Sequence, residues 1–384
     1  MRFKIFSFFL FSFFLVSLIW RWSFKSNEAN IIAKSVKENK PEFVYIDNTP
    51  ISQKIDSFFS KRNKKGLFNG TVLFSAHDTI VYENSFGLAN IKQKDSLNKS
   101  SSFQLASVTK TFTAYAIMLL KQNGKLSYSD SLRKFFPNFP YNNITVHQLL
   151  IHRSGLSNYM YFADEFWRDS RNLTIDNSDV IDLMIEKKPP PYYLPGRRYN
   201  YNNTNYALLA SIIEKVSNKS YSEFMKDEIF TPLNMNDTYV YDKNIDSVNN
   251  SKVKGYVSWR RRAENTYLNG VVGDKGIYSS VGDMNKFSRA LFEGTLVTLE
   301  ELGSAYQLGN KELYNNDNYG YGWRVNMLPD SSKIVYHTGW WKGFRSYFIR
   351  SLTDEKTLIV LTNKSRSGVL HTKELMKLFD IKYE

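Results

Sequence analysis

The sequence predicts an α/β (α+β) fold, in which an antiparallel sheet flanked by helices is split in sequence by an all-helical subdomain. Three observations lead to this class. Strand patterns come early, at 70–87, helical patterns follow over about 106–300, and strand patterns return from residue 333 to residue 363. Such an order places sheet segments at both ends of one domain, with the crevice beside the inserted helices as the natural ligand site.

Each element has its own signature. Apolar residues at helical spacing predict a first helix over 51–62, and two β-branched, aromatic segments closed by turn residues predict strands at 70–76 and 79–87. The other predicted elements are helices at 112–121, 146–151, 180–185, 205–216 and 221–229, strands at 333–341, 344–350 and 356–363, and a terminal amphipathic helix at 368–379.

The composition excludes several classes of function. A chain of 384 residues that is 42% hydrophobic can bury a large core, which argues against disorder. The absence of cysteine excludes disulfide scaffolds, thiolate zinc sites, iron–sulfur clusters and a cysteine nucleophile. The net charge of +14 is spread along the chain, with one arginine run at 260–262 and no nucleic-acid-binding motif. We therefore expect a diffuse basic surface, suited to acidic lipid or cell wall, and no nucleic-acid partner.

The first residues predict a location. Residues 1–25 are typical of a signal anchor or signal peptide, because Arg2 and Lys4 precede an apolar run at 5–20 that is borderline in length for a membrane span. No small-residue cleavage site follows, which favours an uncleaved anchor. The polar residues 26–50 predict a tether, and 51–384 the globular domain. We expect an extracytoplasmic protein, anchored to a bacterial inner membrane and facing the periplasm.

Ser107 and Lys110 stand three residues apart at the head of an apolar run. The same S-x-x-K spacing recurs at Ser96, Ser131 and Ser251, so spacing alone does not identify a catalytic pair. Ser107, however, precedes a helix that is apolar on nearly every side, and Lys110 would share its face on the first turn. That turn also offers free backbone N–H groups. A nucleophile and a simple helix N-cap are equally consistent with Ser107 at this point.

A serine nucleophile needs a base within hydrogen-bond reach. Burial removes hydration from a lysine ammonium and lowers its pKa, so a neutral Lys110 could take the proton of Ser107. A second group must protonate the leaving group, and Tyr201 is the candidate. Tyr-x-Asn spacing, here Tyr201 to Asn203, also occurs at four other tyrosines; Tyr201 is distinguished by its place between a Pro-Gly turn and a helix start.

The third candidate segment is His337-Thr338-Gly339, on the strand predicted at 333–341. A strand edge offers N–H and C=O groups to a substrate backbone, and glycine leaves room for its approach. We interpret His337 as a positive or hydrogen-bonding group for a substrate carboxylate, although a histidine taken alone is more often structural.

Together these segments resemble the serine β-lactamase-like superfamily, in the branch of class C β-lactamases, D-alanyl-D-alanine carboxypeptidases and related esterases. "SVTK", "YNN" and "HTG" match its three motifs in order and spacing. Flanking segments agree: "ITVHQLLIHRSGL", "PGRRYNYNNTNYALLASIIEKVSNKSY", "GDKGIYSSVGDMNKF" and "YGYGW". The resemblance covers roughly 51–379 and implies the β-lactamase/transpeptidase-like fold.

The resemblance also implies roles. Ser107 would attack a carbonyl to form an acyl-enzyme, Lys110 and Tyr201 would share the proton transfers, and Asn203 would hold the substrate amide. The oxyanion hole would use the N–H groups of Ser107 and Trp340. His337, Thr338 and Gly339 would bind a substrate carboxylate or its equivalent.

The same resemblance implies a serine hydrolase that needs no metal or cofactor. We expect its substrate to be an amide or ester with D-amino acid character, such as a small molecule or cell-wall peptide. His337 replaces the lysine usual in class C β-lactamases, which makes efficient β-lactam hydrolysis doubtful. The alternatives are an esterase, a β-lactamase, and a catalytically idle protein that binds penicillin or peptidoglycan. "LLIHRSGL" lies outside the three motifs, so His152 is expected to be structural.

Overall fold

The computed structural model describes residues 43–46, 49–167, 172–242, 253–258, 261–309, 317–365 and 370–381. The predicted anchor at 1–25 and most of the predicted tether lie outside these ranges. Within them, no helix is both long and apolar enough to cross a membrane. The chain divides into two compact units, Met1–Val44 and Tyr45–Glu384, and the fold below is that of the second.

Most helices begin at a polar capping residue. Thr49 accepts a hydrogen bond from the Ser52 N–H at the first helix, and Asn202 accepts one from the Thr204 N–H at the long central helix. The α-helices are Pro50–Lys64, Thr109–Gln122, Leu132–Phe135, Val146–Leu150, Tyr159–Phe166, Asn177–Lys187, Asn203–Ser217, Tyr221–Met225, Val281–Glu293, Leu299–Ala305 and Thr372–Leu378, with short 3₁₀ or π turns at Ala106–Val108, Lys226–Phe230 and Tyr267–Gly270.

The main sheet joins the two ends of the domain, as predicted. Seven of its strands lie wholly within this unit, in the spatial order Thr79–Phe86, Gly70–Ala76, Lys356–Thr362, Phe344–Ser351, Lys333–Trp341, Arg324–Met327 and Asp317–Tyr319. Neighbouring strands in this order are antiparallel. The early strand at 70–76 pairs with the late strand at 356–362 in unbroken register, so the predicted split sheet is confirmed.

Helices cover both faces of this sheet. One face packs against the first and last helices through an apolar cluster that includes Phe59, Phe74 and Phe379. On the other face, Val281–Glu293 contacts the sheet through buried polar pairs, Ser75 with Asn285 at 2.7 Å and Ser288 with Thr357 at 2.7 Å. The alternation of side chains along each strand supplies both contact surfaces.

The inserted region differs from the expectation in one respect. Described residues between 109 and 230 contain no strand, but shorter strands follow within the range that was expected to be all-helical. The short strands of this unit and its margin are Val44–Tyr45, Leu88–Asn90, Asp95–Ser96, Phe103–Gln104, Tyr239–Val240, Tyr256–Ser258, Arg261–Arg262 and Ile277–Ser279. Ile277–Ser279 pairs with both Phe103–Gln104 and Tyr239–Val240. Strands of two or three residues are too short to show a period of two in a sequence.

Gly339 is required where the sheet meets the turn that carries Ser107. A Cβ atom at this position would lie 2.2 Å from the Leu105 carbonyl oxygen and 2.3 Å from the Ser346 Oγ. From the sequence we expected the absence of a side chain at Gly339 to leave room for a substrate, but the backbone of Leu105 occupies that room. Strand and turn therefore form one rigid contact.

We predict that Gly339→Ala destabilises the protein by about 2 kcal/mol, because the added methyl group must push two backbones apart. The same change at Gly303 is the matched control, since a Cβ there meets no atom within 4 Å and lies in a helix. Gly303→Ala should leave stability unchanged or raise it by less than about 1 kcal/mol. Urea unfolding of both variants measures the difference, and equal stabilities would contradict the assigned contact.

Candidate active site

Ser107 lies in a tight 3₁₀ turn, Ala106–Val108, that leads directly into the buried helix Thr109–Gln122. Ala106 has a φ of 50°, in the left-handed region that a residue with a Cβ seldom occupies. The Ser346 hydroxyl donates a hydrogen bond to the Leu105 carbonyl and holds this strained turn against the sheet. Strain of this kind, stabilised by its surroundings, is frequent at functional sites.

Lys110 is fully buried, and its Nζ makes three contacts. It lies 2.8 Å from the Asn203 Oδ1, 2.8 Å from the Asp274 carbonyl oxygen and 3.2 Å from the Ser107 Oγ. The first two partners can only accept hydrogen bonds, so they use both N–H bonds of a neutral amine. The remaining lone pair then faces the Ser107 hydroxyl, which is the arrangement that a general base needs.

The surroundings of Lys110 favour its neutral form. Burial disfavours the ammonium form and, with a smaller contribution from the positive charge of Arg324, lowers the pKa of Lys110 to about 8. The Asp274 carboxylate acts in the opposite direction and limits the fall. A substantial fraction of Lys110 is therefore neutral in mildly alkaline solution, as the sequence interpretation requires.

Tyr201 stays protonated. Burial raises the pKa of its hydroxyl far above 10, and a hydrogen bond with Ser107 offsets only part of this rise. The Lys110 Nζ lies 5.0 Å from the centre of the Tyr201 ring. A neutral phenol beside Ser107 is suited to donating a proton, whereas the base is Lys110.

His152 holds the Tyr201 loop in place. Its Nδ1 accepts hydrogen bonds from the Asn202 N–H at 3.2 Å and the Asn205 Nδ2 at 3.1 Å, and its carbonyl accepts one from the Asn200 N–H at 2.9 Å. The ring packs 4.4 Å from the ring of Tyr201, centre to centre. The predicted structural role of His152 agrees with these contacts.

His337 does not fit the predicted role as a positive group. It is buried, and burial together with the charges of Lys110 and Arg324 puts its pKa well below 6.5. Its Nδ1 donates to the Thr338 carbonyl at 2.8 Å, so its Nε2 accepts from the Tyr319 hydroxyl at 3.1 Å. A neutral imidazole with both nitrogens bonded inside the protein positions its strand and carries no charge for a carboxylate.

The predicted site residues do lie together. Ser107, Tyr201, Asn203 and the segment 337–340 line one cavity of about 460 Å³, and Lys110 is buried beneath it. The strand Lys333–Trp341 pairs with the strand Arg324–Met327 only as far as Tyr336, which lies opposite Arg324. Residues 337–341 therefore extend beyond this neighbouring strand. Their edge can accept a substrate backbone. The indole of Trp340 is 62% exposed at the rim.

The cavity also contains functional candidates that the sequence interpretation missed. They are Met160, Asp274, Lys275, Arg324, Trp341 and Arg345. Asp274 and Lys275 belong to "GDKGIYSS", and Arg324 directly follows "YGYGW", so both segments were noticed for their resemblance without any role being assigned. Met160 stands at the start of the helix Tyr159–Phe166, outside the three motifs.

Asp274 and Lys275 form a second buried polar group beside Lys110. The Lys275 Nζ contacts the Tyr159 hydroxyl at 2.7 Å, the Val271 carbonyl at 2.8 Å and the Asp274 carboxylate at 3.4 Å. The Tyr159 hydroxyl lies 2.9 Å from the other carboxylate oxygen. Burial lowers the pKa of Lys275 to about 8, against the opposing effect of Asp274.

Comparison with known proteins gives one consistent result. A family model described as "Beta-lactamase" matches residues 55–381. Penicillin-binding protein 4* of Bacillus subtilis (strain 168) is 36% identical over 326 residues, which cover 81% of this chain and 71% of that protein. The putative penicillin-binding protein PbpX of the same organism is 29% identical over 288 residues, covering 73% and 68%.

Solved structures agree in fold. The octameric penicillin-binding protein homologue from Pyrococcus abyssi superposes with a TM-score of 0.71 at 27% identity, covering 83% of this chain and 74% of that one. The D-amino acid amidase from Ochrobactrum anthropi SV3 reaches a TM-score of 0.70 at 22% identity, covering 87% and 98%. At this lower identity the amidase supports the fold alone.

We predict that Ser107→Ala abolishes covalent labelling by a fluorophosphonate probe, because the nucleophile is removed. Ser131→Ala is the matched control, since Ser131 has the same spacing to Lys134 but caps a helix by accepting from the Arg133 N–H. That variant should label normally and lose about 1 kcal/mol of stability. Gel fluorescence of the two purified variants measures labelling, and a labelled Ser107→Ala protein would exclude Ser107 as the nucleophile.

We predict that the rate of this labelling rises about tenfold per pH unit below pH 8 and levels off above it. Labelling requires neutral Lys110, whose pKa is lowered to about 8, so raising the pH removes the inhibitory proton. Stopped-time labelling between pH 6 and pH 9.5 measures the profile. Lys110→Arg is the control, because its charge persists throughout and labelling should be absent at every pH. A flat profile for the wild-type chain would contradict Lys110 as the base.

Proposed function

The chain belongs to the β-lactamase family and is a serine hydrolase that acts through an acyl-enzyme; we propose that its substrate is a D-amino acid peptide with a free carboxylate. In this proposal Ser107 is the nucleophile, Lys110 the base and Tyr201 the proton donor. The observation that carries the choice of substrate is Arg324, a cation in the cavity wall without an anionic partner among the described residues.

Acylation follows from the contacts of Lys110. Its lone pair takes the Ser107 proton as the Oγ attacks the substrate carbonyl and the C–O bond forms. The N–H groups of Ser107 and Trp340 would then hold the oxyanion. As the C–N bond breaks, the Tyr201 hydroxyl protonates the leaving amine, and the proton held by Lys110 restores the phenol. Water releases the acyl group by the reverse sequence of proton transfers.

Asn203 and the strand 337–341 would orient the substrate for this attack. The Asn203 Oδ1 is occupied by Lys110, so its Nδ2 is the group directed towards a substrate carbonyl. Thr338 is half-buried on the open strand edge, where its backbone can pair with an extended peptide. His337 supports this edge from within.

Arg324 is the group suited to a substrate carboxylate. Its guanidinium lies 5.7 Å from the centre of the Tyr201 ring, and within the described ranges it has no ion pair or hydrogen bond. A partly buried arginine without a partner is costly, and a planar carboxylate matches its donors in two parallel hydrogen bonds. A carboxylate there would lie on the Tyr201 side of the scissile bond, next to the leaving group. That position belongs to a C-terminal amino acid.

The names of the related proteins agree with this substrate class. Penicillin-binding protein 4* and the putative penicillin-binding protein PbpX both take their names from penicillin, a ligand that carries a carboxylate. A purely binding function is disfavoured, because a protein that only captures a ligand has no need for a neutral lysine aligned with a serine. A neutral ester would lack the carboxylate that Arg324 is proposed to bind.

We also propose that residues 1–25 anchor the domain outside the cytoplasm. The support is the sequence alone: two basic residues, an apolar run and a polar segment of tether composition. A cell-wall peptide as substrate would require this location.

We predict that Arg324→Gln lowers kcat/KM for an N-acyl-D-alanyl-D-alanine at least about tenfold, because a charged hydrogen-bonded pair is lost. The corresponding C-terminal carboxamide should change by less than about threefold. Measurement at pH 9 keeps Lys110 mostly neutral in the wild-type chain, and the carboxamide substrate reports any rise in the Lys110 pKa that follows loss of the Arg324 charge. Arg133→Gln, an exposed arginine outside the cavity, is the control and should hydrolyse both substrates normally. An equal loss on carboxylate and carboxamide would remove Arg324 from substrate recognition.

A further inference from the structure

Met160 lies against the amide that is expected to hold the substrate. It is the second residue of the helix Tyr159–Phe166, and Asn158, the N-cap, fixes it there by accepting a hydrogen bond from the Met160 N–H at 3.1 Å. Its side chain is half-buried in the cavity wall. The Met160 Sδ is 3.3 Å from the Asn203 Nδ2. The thioether therefore lies against one of the two N–H donors of the Asn203 amide, the group that a substrate carbonyl would use.

The strength of this contact depends on the oxidation state of the sulfur. A thioether is a weak acceptor, so a substrate carbonyl can replace it at little cost. A sulfoxide oxygen is a strong acceptor on a polar side chain. With the two atoms already 3.3 Å apart, an oxygen added on the side of the sulfur that faces Asn203 would either hold the Asn203 amide or displace it. Since the other end of that amide holds Lys110, either outcome disturbs the base as well.

Few other groups in the chain compete for an oxidant. The sequence contains no cysteine and nine methionines. Six of those methionines are at most 2% exposed: Met118, Met184, Met225, Met235, Met284 and Met376. Among the described residues, Met160 and Met327 are the two that solvent reaches, and Met327 lies on the strand Arg324–Met327 outside the cavity lining.

We propose that Met160 is an oxidation site through which peroxide switches off acylation of Ser107. In the reaction, the Met160 sulfur attacks the O–O bond of hydrogen peroxide; an S–O bond forms, the O–O bond breaks and water leaves. The sulfur loses two electrons and the peroxide gains them. Methionine sulfoxide can be reduced again by sulfoxide reductases, so the inhibition is reversible. The inference rests on the proposed function only in taking Ser107 acylation as the activity that is lost.

The test treats the purified chain with hydrogen peroxide for graded times and follows two quantities in each sample. Peptide mapping by mass spectrometry gives the sulfoxide fraction at Met160 and at Met327, and fluorophosphonate labelling gives the active fraction of Ser107. We expect the labelling rate to fall at least about tenfold in the oxidised molecules, in step with Met160. Treatment with methionine sulfoxide reductases should restore it.

Two variants separate Met160 from general damage. Met327→Leu should label like wild type before peroxide and lose labelling like wild type after it. Met160→Leu, compared only with its own untreated rate, should keep that rate. Met160→Gln places an amide oxygen near Asn203 without peroxide and should label more slowly than Met160→Leu.

Three outcomes would overturn the inference: Met160 resists peroxide that oxidises Met327, labelling persists in fully oxidised Met160 protein, or Met160→Leu loses labelling as wild type does. These differ from a failure of the proposed function, in which the untreated chain would not label at Ser107 at all. The graded series within the wild-type chain decides the matter even where a variant folds poorly.

Discussion

The site depends on the way in which the Nζ of Lys110 is held. Three segments far apart in sequence meet at this nitrogen: the Ser107 turn, the N-terminus of the helix Asn203–Ser217, and the loop at Asp274. Two carbonyl-type acceptors consume the N–H bonds of the amine and leave one direction for the lone pair. The capped start of the helix Asn203–Ser217 and the close packing of Gly339 hold these segments in fixed positions relative to one another.

Burial weakens Lys110 as a base, and Asp274 limits that loss. A lysine removed from water loses basicity steadily, and a very low pKa would give a neutral amine with little affinity for the serine proton. Asp274 counters this through the field of its carboxylate, while its own carbonyl holds the amine. Lys275 and Tyr159 in turn satisfy that carboxylate, which could not otherwise remain buried. The second lysine thus supports the first through a shared anion.

How much of the site the sequence could predict depends on how far apart in the chain the residues that form each feature lie. Ser107 and Lys110 are one helical turn apart, and Tyr201 and Asn203 flank a single N-cap, so local spacing together with the predicted helix starts was enough. Arg324 reaches the cavity because its strand pairs with the one that carries His337, and no short motif records that pairing. The sequence left open whether His337 is a positive or a hydrogen-bonding group for a similar reason: its neutrality depends on burial and on Tyr319, eighteen residues away in the chain.

Recognition of a carboxylate and the strength of the base are linked by charge, although Arg324 and Lys110 share no hydrogen bond. In the free protein, the positive Arg324 lowers the pKa of Lys110. A carboxylate bound to Arg324 would cancel most of that field, and the pKa of Lys110 would rise. The amine would then hold the serine proton more firmly at the moment when the reacting carbonyl is in place. A neutral ester would leave the field intact and meet a weaker base that loses its proton at lower pH, so a carboxylate bound at Arg324, as proposed, would change the proton transfer as well as the binding.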